Sequence, residues 1–334
     1  SLGSDDGRFK RFYMNYIHGT IQDYFLKEDL NEGLELISEV LIHPTYPIWL
    51  KKLLLSIVIS VSPKTSLIGV NQLLYKHNLH QYANIYDNIH PTPIASKKKL
   101  LKWHHNFITP ENITIMVSGD VNAIYVKKMV DKYFGDWQPS KNIPEKRNYS
   151  INLNDKTGIK LRFIHVENNK DALIDIVKWA PSTSDKRLYA GILARDVFGA
   201  HGFSSRLKNI HSKFEYYGEL YSSLRKHPTI PYIQIRGNIQ YEELYRLYNE
   251  LKSEFKMLSS NSITESELEY AKKVKINYYN NRLHNPRQLS TFIQDNYNLN
   301  GYSLDEISNK WKYIQNVTRR EVNDVASKMF DPNN

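Results

Sequence analysis

One local pattern that occurs twice limits the fold of this chain more than any other feature. Residues 119–121 (Gly-Asp-Val) stand between a predicted strand over 112–118 and a predicted helix over 122–133. Residues 237–239 (Gly-Asn-Ile) stand in the same way between a predicted strand and a helix over 241–257. A repeated strand–turn–helix unit indicates two related modules. We therefore predict an α+β fold of two homologous modules, each an antiparallel-rich sheet covered by helices.

The length and one polar segment predict where the modules begin and end. A chain of 334 residues is long enough for two domains. The stretch after Trp137 is rich in Pro, Lys and Asn, a composition typical of linkers. We predict a first module over 1–140 that lacks its beginning, a linker over 141–157 and a second module over 158–334.

Apolar periodicity and capping residues predict the remaining elements. Thr264-x-x-Glu267 and Thr318-x-x-Glu321 are capping boxes, and each predicts the start of a helix. Asp29 is the predicted N-cap of the first helix. The predicted strands or hairpins cover 13–26, 159–166, 172–179, 216–224 and 232–236. The other predicted helices cover 29–42, 48–61, 65–77, 96–107, 185–198 and 204–213, with a turn over 199–202 and a helix from Pro286.

The composition excludes several kinds of chemistry. The sequence has no cysteine, which excludes disulfides, thiolate zinc sites and cysteine nucleophiles. No apolar run reaches the roughly 18 to 20 residues that a membrane span requires. No secretory signal is visible at the start. We therefore expect no membrane span and a cytoplasmic or organellar location.

The chain is basic, with a formal net charge of +10. Nucleic acid, an anionic membrane surface and acidic peptides are all compatible with that charge. The basic residues are spread along the sequence, and the densest run is Lys97-Lys98-Lys99 at the start of a predicted helix. A short run of this kind is most often a solvated face. We therefore expect no nucleic-acid partner.

Three stretches, taken in order, resemble one known family. They are Leu100–Trp137 with its Val-Ser-Gly-Asp strand end, Leu188–Tyr221 with Phe-Gly-Ala-His-Gly-Phe-Ser-Ser-Arg-Leu, and Ile263–Lys273 (ITESELEYAKK). Together they are similar to the insulinase/pitrilysin family of inverted-zincin metallopeptidases, which includes mitochondrial processing peptidase. The resemblance implies paired homologous modules that close around a peptide.

The zinc chemistry of that family is missing from this sequence. Active members carry His-x-x-Glu-His, which places two histidines on one helix face and a glutamate as general base. Neither this motif nor His-Glu-x-x-His occurs here, and no Asp or Glu lies between Glu39 and Asp87. The helix over 48–61, which the resemblance aligns with the third zinc ligand, is therefore free of carboxylates. We predict no catalytic residue, no metal ligand and no cofactor in this chain, with zinc in a catalytic partner.

The remaining histidines do not suggest a metal site. His104 and His105 are adjacent, so on a helix they point about 100° apart and cannot chelate one ion together. His77 and His80 have a helical spacing but no nearby carboxylate, and they are expected in a surface turn. His211 with Glu215 forms His-x-x-x-Glu but lacks a second histidine, and His201 is expected in a glycine-flanked turn.

The resemblance also implies a substrate-binding Arg/Tyr pair in the second module. The Ser-Arg-Leu that contains Arg206 is kept, and the Gly-x-x-Tyr that ends at Tyr221 is kept. The expected arginine between them is absent, and Lys213 stands near its place without a bidentate fork. Tyr221, Lys213 and Arg206 are therefore the candidate substrate contacts. Structural roles for Tyr221 as a strand aromatic and for Arg206 as an ion-pair partner at a helix start stay open.

These observations lead to one hypothesis and two alternatives. The first is a non-catalytic subunit that shapes a peptide-binding chamber, with a catalytic insulinase-family subunit or a second copy as partner and a peptide as substrate. We expect no activity from this chain alone and metalloendopeptidase activity only with the partner. The alternatives are a fragment of an active zinc peptidase whose motif lies upstream, and a structural core-type subunit of a larger complex.

Overall fold

The computed structural model describes two compact units. It covers residues 11–14, 19–22, 25–47, 96–140, 171–182, 185–199, 205–214, 220–225, 231–299 and 302–333. The first unit takes in the described residues up to 140 together with Pro286–Thr291, and the second takes in 171–285 and 292–333. The predicted linker over 141–157 lies outside the described residues, so the predicted domain boundaries stay a prediction.

Among its described residues, the first unit contains a hairpin, three complete helices and the helical residues Pro286–Thr291. Strands β1 (Arg11–Met14) and β2 (Gly19–Gln22) pair antiparallel, as the alternation over 13–26 predicts. The helices are α1 (Leu30–Ile42), α2 (Lys97–Phe107) and α3 (Ala123–Phe134), and a 3-10 turn covers Pro110–Asn112.

Helices α1 and α3 share a small apolar core. Leu30 and Leu34 of α1 are buried against Met129 of α3. The apolar side chains packed around them are Val117, Val121, Val126, Val130, Tyr133 and Phe134. The Tyr133 hydroxyl donates to Asn31 Oδ1 at 3.0 Å, which adds a polar contact between the two helices.

Side chains cap two of these helices, but not the third. Ser96 accepts a hydrogen bond from the Lys99 amide at 3.3 Å at the start of α2. Asn122 Oδ1 accepts from the amides of Ile124 and Tyr125 at 2.9 and 3.0 Å at the start of α3. Asp29 stands at the N-cap position of α1, yet its side chain makes no capping hydrogen bond. The predicted position is right, and the predicted capping contact is wrong.

Gly119 makes the turn before α3. Residues with a side chain rarely adopt its φ of 150°, so glycine is required there. The predicted strand over 112–118 is wrong, because Pro110 starts a 3-10 turn that includes Asn112, and residues 113–118 belong to none of the described sheets.

The second unit is richer in helices. Its described strands are β3 (Asp171–Trp179), β4 (Tyr221–Arg225) and β5 (Tyr232–Gln240). Its helices are α4 (Leu188–Gly199), α5 (Arg206–His211), α6 (Leu244–Ser259), α7 (Glu265–His284), the last residues of α8 (Pro286–Gln294), α9 (Leu304–Ser308), α10 (Lys310–Asn316) and α11 (Arg319–Met329). A 3-10 turn (Tyr241–Glu243) precedes α6, and a π-helical turn (Asp295–Leu299) follows α8.

The three strands form an antiparallel sheet with β5 in the centre. The order is β3-β5-β4, and Ile235 of β5 lies opposite Ile176 of β3 and Ser222 of β4. Ile233, Ile235 and Ile239 of β5 are buried. Helices α4 and α11 pack on the sheet. This sheet with its helical cover confirms the predicted α+β class.

An aromatic cluster joins the helices at the centre of the core. The ring of Phe198 lies 5.0 Å from Phe330 and 5.7 Å from Phe255, measured between centroids. These residues come from α4, from the end of α11 and from α6. They are surrounded by buried aliphatic side chains, among them Leu193, Leu207, Leu247, Leu251, Leu258, Leu268, Val322 and Met329.

The second copy of the opening sequence pattern is not a turn. Residues 237–239 lie inside β5, and Gly237 pairs with Ile174 of β3. A Cβ on Gly237 would stand 2.7 Å from the Leu220 side chain, so glycine is needed for close approach rather than for a turn. The helix that follows begins at Leu244 rather than at the predicted Tyr241, because Tyr241–Glu243 forms a 3-10 turn.

Several predicted elements lie outside the described residues. These are the helices over 48–61 and 65–77, the strand over 159–166, and positions 200–202 of the predicted turn. Among the helices that the structure describes, none combines the length and the apolar character needed to cross a membrane.

Candidate functional site

Arg206, one of the three predicted substrate contacts, is the first residue of α5. Ser205 precedes it and caps the helix by accepting from the Lys208 amide at 3.3 Å. Leu207 and Ile210 are buried and hold α5 against the core. This packing turns Arg206 towards α6 and towards the segment that leads into α7.

The guanidinium of Arg206 is fully occupied by neighbouring groups. Nε and Nη2 donate to the two carboxylate oxygens of Glu267 at 2.7 and 2.9 Å. Nη1 donates to Glu254 Oε1 at 3.0 Å and to Ser262 Oγ at 2.9 Å, and Nη2 also donates to the Ser262 carbonyl at 2.8 Å. An arginine has five N–H donors, and each of them has a partner here. A direct contact with a peptide would have to displace one of these bonds.

Glu267 has a second role at the start of α7. Its Oε2 also accepts from the amide and the hydroxyl of Thr264, at 2.8 and 2.9 Å, which closes the predicted capping box. Burial opposes ionisation of this carboxyl, but Arg206 and Thr264 outweigh that effect and hold the pKa of Glu267 below its usual value. Glu267 therefore stays charged near neutral pH.

Lys213 lies beyond the C-terminal end of α5 and is exposed. Its Nζ is 2.7 Å from Glu250 Oε2 on α6. Arg246 of α6 stacks over the ring of Phe214 at 4.6 Å. The ammonium of Lys213 is only half shielded, with 50% of the side chain accessible, so it can exchange Glu250 for another carboxylate.

Tyr221 lies apart from the other two candidates. It is the first residue of β4, and it stands opposite Arg236 of β5. Arg236 forks onto both oxygens of Asp175, at 2.8 Å each, across the sheet. Tyr221 is therefore part of the sheet surface, half-buried, beside a satisfied ion pair.

Two cavities flank Arg206. The larger, of about 350 Å³, is lined by Asp196, Val197, Ser205, Arg206, Asn209, Ser266, Glu267, Tyr270, Ala271 and Val274. The smaller, of about 230 Å³, is lined by Arg206, Asn209, Ile210, Lys213, Glu250, Ser253, Glu254 and Met257. The structure thus brings Arg206 and Lys213 to one cavity, while Tyr221 does not line either. The substrate-contact roles of all three stay predictions.

A buried carboxylate at the wall of the larger cavity is compensated by two cations. Asp196 of α4 lies 2.8 Å from Arg195 Nη2 and 2.7 Å from Lys275 Nζ. Burial lowers the pKa of Lys275, and the carboxylate of Asp196 opposes that shift. This cluster was not predicted from the sequence. The signal was an Arg-Asp pair inside the otherwise apolar stretch of α4 (LYAGILARDVFG).

His104 is buried, in contrast to the other described histidines of the sequence analysis, His105 and His211. Its Nε2 donates to the Leu41 carbonyl at 2.7 Å, and its Nδ1 accepts from the Tyr46 hydroxyl at 2.8 Å. Burial lowers the pKa of His104, so the ring is neutral at pH 7. Both nitrogens are used inside the fold, and neither can bind a metal.

The zinc-donor set that the family resemblance implies is not assembled among the residues that the structure describes. In the part of the chain that the structure describes, no group of three or more His, Asp or Glu side chains is arranged to hold a metal ion. His77, His80 and His201 lie outside the described residues. No chemical step through zinc is therefore assigned to this chain.

The fold and these contacts define an α+β module whose helix junction is held by buried ion pairs. The family model described as Peptidase M16 inactive domain matches residues 95–275, which is more than half of the chain. The chain belongs to the M16 peptidase family, and the matched part is of its inactive-domain type. The resemblance to insulinase-type peptidases is confirmed. No curated protein matches the chain.

Several solved structures share the fold. A protease from Helicobacter pylori is 17% identical and superposes with a TM-score of 0.74, over 92% of this chain and 75% of that one. A peptidase M16 inactive domain from Pseudomonas fluorescens is 17% identical, with a TM-score of 0.71, over 90% of this chain and 72% of that one. The first half of the periplasmic protease PqqL from Escherichia coli is 14% identical, with a TM-score of 0.65, over 97% and 73%. At these identities the likeness concerns the fold alone.

Proposed function

We propose that this chain is a non-catalytic M16 subunit that shapes a peptide-binding chamber together with a catalytic partner. The observation that carries the proposal is the match of residues 95–275 to the inactive domain of the family. The absence of His-x-x-Glu-His and of His-Glu-x-x-His from all 334 residues supports it. Zinc and the general base would then belong to the partner, which is a catalytic M16 subunit.

The contribution of this chain would be a rigid wall with a positive field. The five donors of Arg206 fix α5 against α6 and α7, which favours a scaffold role. Lys213 is exposed at the rim of the smaller cavity and can exchange its carboxylate partner. Tyr221 lies on β4, an outer strand of the described sheet, where an extended peptide could add by β-augmentation.

The first experiment measures peptide turnover by the purified 334-residue chain alone. A mixture of fluorogenic peptides is incubated with the chain in two separate reactions, one with added zinc and one with 1,10-phenanthroline. We expect no cleavage that depends on zinc or is stopped by the chelator. Turnover that the chelator abolishes would contradict the non-catalytic role and would favour the active-fragment alternative.

The second experiment measures peptide binding without turnover. Fluorescence anisotropy of labelled acidic peptides is followed for the parent chain and for Lys213→Ala. We expect the variant to bind about fivefold more weakly, since one exposed charge contact contributes on the order of 1 kcal/mol. Lys252→Ala, another exposed lysine whose side chain lines neither cavity, is the matched control. Absence of any peptide binding by the parent chain would favour the structural-subunit alternative.

A further inference from the structure

Helix α2 carries a concentrated positive charge. Lys97, Lys98, Lys99 and Lys102 are all exposed on a helix of 11 residues. No Asp or Glu lies between Asp87 and Glu111, so no acidic side chain of the helix itself offsets these charges. No other run of three consecutive lysines occurs in the sequence.

Two exposed aromatic rings stand beside those lysines. The side chains of Trp103 and Phe107 are each 41% accessible, and their ring centroids are 5.6 Å apart. Residues four apart lie on the same helix face, so Lys99, Trp103 and Phe107 follow one line along α2. Lys98 and Lys102 follow the neighbouring line. The exposed side of α2 therefore carries a line of lysines next to a line that ends in two aromatic rings.

The opposite face of α2 is anchored. His104 is buried and bonds the Leu41 carbonyl and the Tyr46 hydroxyl. On an α-helix, positions two apart differ by about 200°, so Lys102 points away from the face that His104 buries. The anchoring fixes the cationic face towards solvent.

The placement of the lysines is unfavourable for the isolated helix. The N-terminus of a helix carries a partial positive charge, and cations there cost on the order of 0.3–1 kcal/mol each. The first turn of α2 holds three lysines and no acidic residue, with only Ser96 as a cap. A sequence that departs from local stability in this way indicates a functional constraint on the face.

We propose that α2 docks the protein onto an anionic lipid surface. Trp103 and Phe107 enter the boundary between headgroups and acyl chains, and Lys98, Lys99 and Lys102 contact the headgroup phosphates. A short helix with aromatics and lysines on adjoining lines of its exposed side suits a planar interface, which it lies on rather than crosses. An extended peptide would instead need a groove or a strand edge, and an exposed convex helix face offers neither.

The test is co-sedimentation of the 334-residue chain with vesicles. Vesicles of phosphatidylcholine with about one third phosphatidylserine are compared with pure phosphatidylcholine at moderate ionic strength. We expect binding to the anionic vesicles only. The triple variant Lys98→Glu, Lys99→Glu, Lys102→Glu should bind at least about 30-fold more weakly, since each lysine near an anionic surface contributes to binding. Trp103→Gln with Phe107→Gln should weaken binding about tenfold with the net charge unchanged.

A matched control separates the α2 face from the total charge. Lys252→Glu, Lys256→Glu, Lys273→Glu reverses three exposed lysines of α6 and α7 and changes the net charge by the same amount. This control should bind within about twofold of the parent chain. Equal loss in both triple variants, or no binding of the parent chain to anionic vesicles, would overturn the proposal. Tight binding of a labelled poly-glutamate peptide to α2, combined with no binding of the chain to vesicles, would also overturn the proposal. Circular dichroism verifies that each variant is folded.

Discussion

The side chain of Arg206 joins three segments of the second unit that are distant in sequence. It reaches Glu254 on α6, Ser262 in the following loop and Glu267 on α7. Only 15% of the arginine side chain and 10% of the Glu254 side chain are accessible. Removal of a partly buried cation would leave two carboxylates without compensation, which is costly even though the net value of an intact pair is small.

Substitution of Arg206 should therefore destabilise the second unit. Arg206→Ala is expected to lower the free energy of unfolding by about 3 kcal/mol, and Arg206→Lys by about half of that, because an ammonium cannot form the fork. The control is Arg320, whose side chain is 92% accessible. Arg320→Ala should change the free energy of unfolding by less than about 0.5 kcal/mol. Urea titration followed by circular dichroism measures both. Equal stability of Arg206→Ala and the parent chain would rule out the structural role.

His104 makes the first unit sensitive to acid. Burial holds the pKa of His104 in the folded chain below the ordinary value of 6.5, which applies to the unfolded chain. At a pH between the folded and the unfolded pKa, the unfolded chain therefore binds more protons than the folded chain. Its contribution to stability is therefore complete above about pH 6.5 and decreases as the pH falls. We expect the urea midpoint to fall between about pH 7.5 and pH 5.5, and this decrease to be smaller in His104→Gln than in His105→Gln, the exposed neighbour. An identical pH dependence in both variants would contradict this assignment.

At the scale of elements, three helices of the second unit begin at capping boxes. Thr264, Ser303 and Thr318 each accept from the amide three residues later, and the glutamate at that position accepts from the cap amide. For α11, the Thr318 hydroxyl also donates to Glu321 Oε2 at 2.7 Å. These contacts fix where each helix starts, so the apolar face of α11 meets the core in one register.

Loss of the cap on α11 should have a measurable cost. Thr318→Ala is expected to lower the free energy of unfolding by about 1 kcal/mol, and Thr318→Ser by clearly less, because serine keeps the hydroxyl acceptor. The helix carries Val322, Val325 and Met329 into the core, so the thermal midpoint should fall as well. Differential scanning calorimetry compares the two variants. A threonine-to-serine change as damaging as the alanine change would point to packing of the methyl group instead.

Local sequence patterns predicted where several helices start. The features that they did not predict depend on pairing between segments distant in sequence. The Thr264 and Thr318 boxes are confirmed, and the same pattern at Ser303 was available but overlooked. Strand β5 extends to Gln240, four residues past its predicted end, because it pairs with β3 along its whole length. That pairing partner is some 60 residues away in sequence, and local preference does not determine it.

At the scale of the whole molecule, the order of three motifs was enough to predict the family and the fold class. The contacts of the candidate site were not predictable in the same way. Arg206 was predicted as a substrate contact or as an ion-pair partner at a helix start, and nothing local indicated that its carboxylate partners lie 48 and 61 residues further along the chain. The partner subunit and the peptide belong to an assembly. The sequence of one chain can therefore specify only the surface that they would contact.

The net charge of +10 leads to a last prediction, which rests on the proposed peptide binding. A positive field attracts an acidic peptide over a distance set by the Debye length, about 10 Å at 0.1 M salt and about 3 Å at 1 M. We expect a peptide rich in glutamate to bind about tenfold more tightly than its glutamine counterpart at about 0.1 M salt, and nearly equally at 1 M. Anisotropy titrations with both peptides measure this difference.

The two triple lysine variants locate the source of that preference. Each lowers the net charge from +10 to +4, one on α2 and the other on α6 and α7. If the field of the whole molecule steers the peptide, both variants should reduce the preference for glutamate to a similar extent. If only the α2 variant does so, the peptide and the lipid surface compete for the same lysines. In that case the chamber proposed around Lys213 would not be where acidic peptides bind.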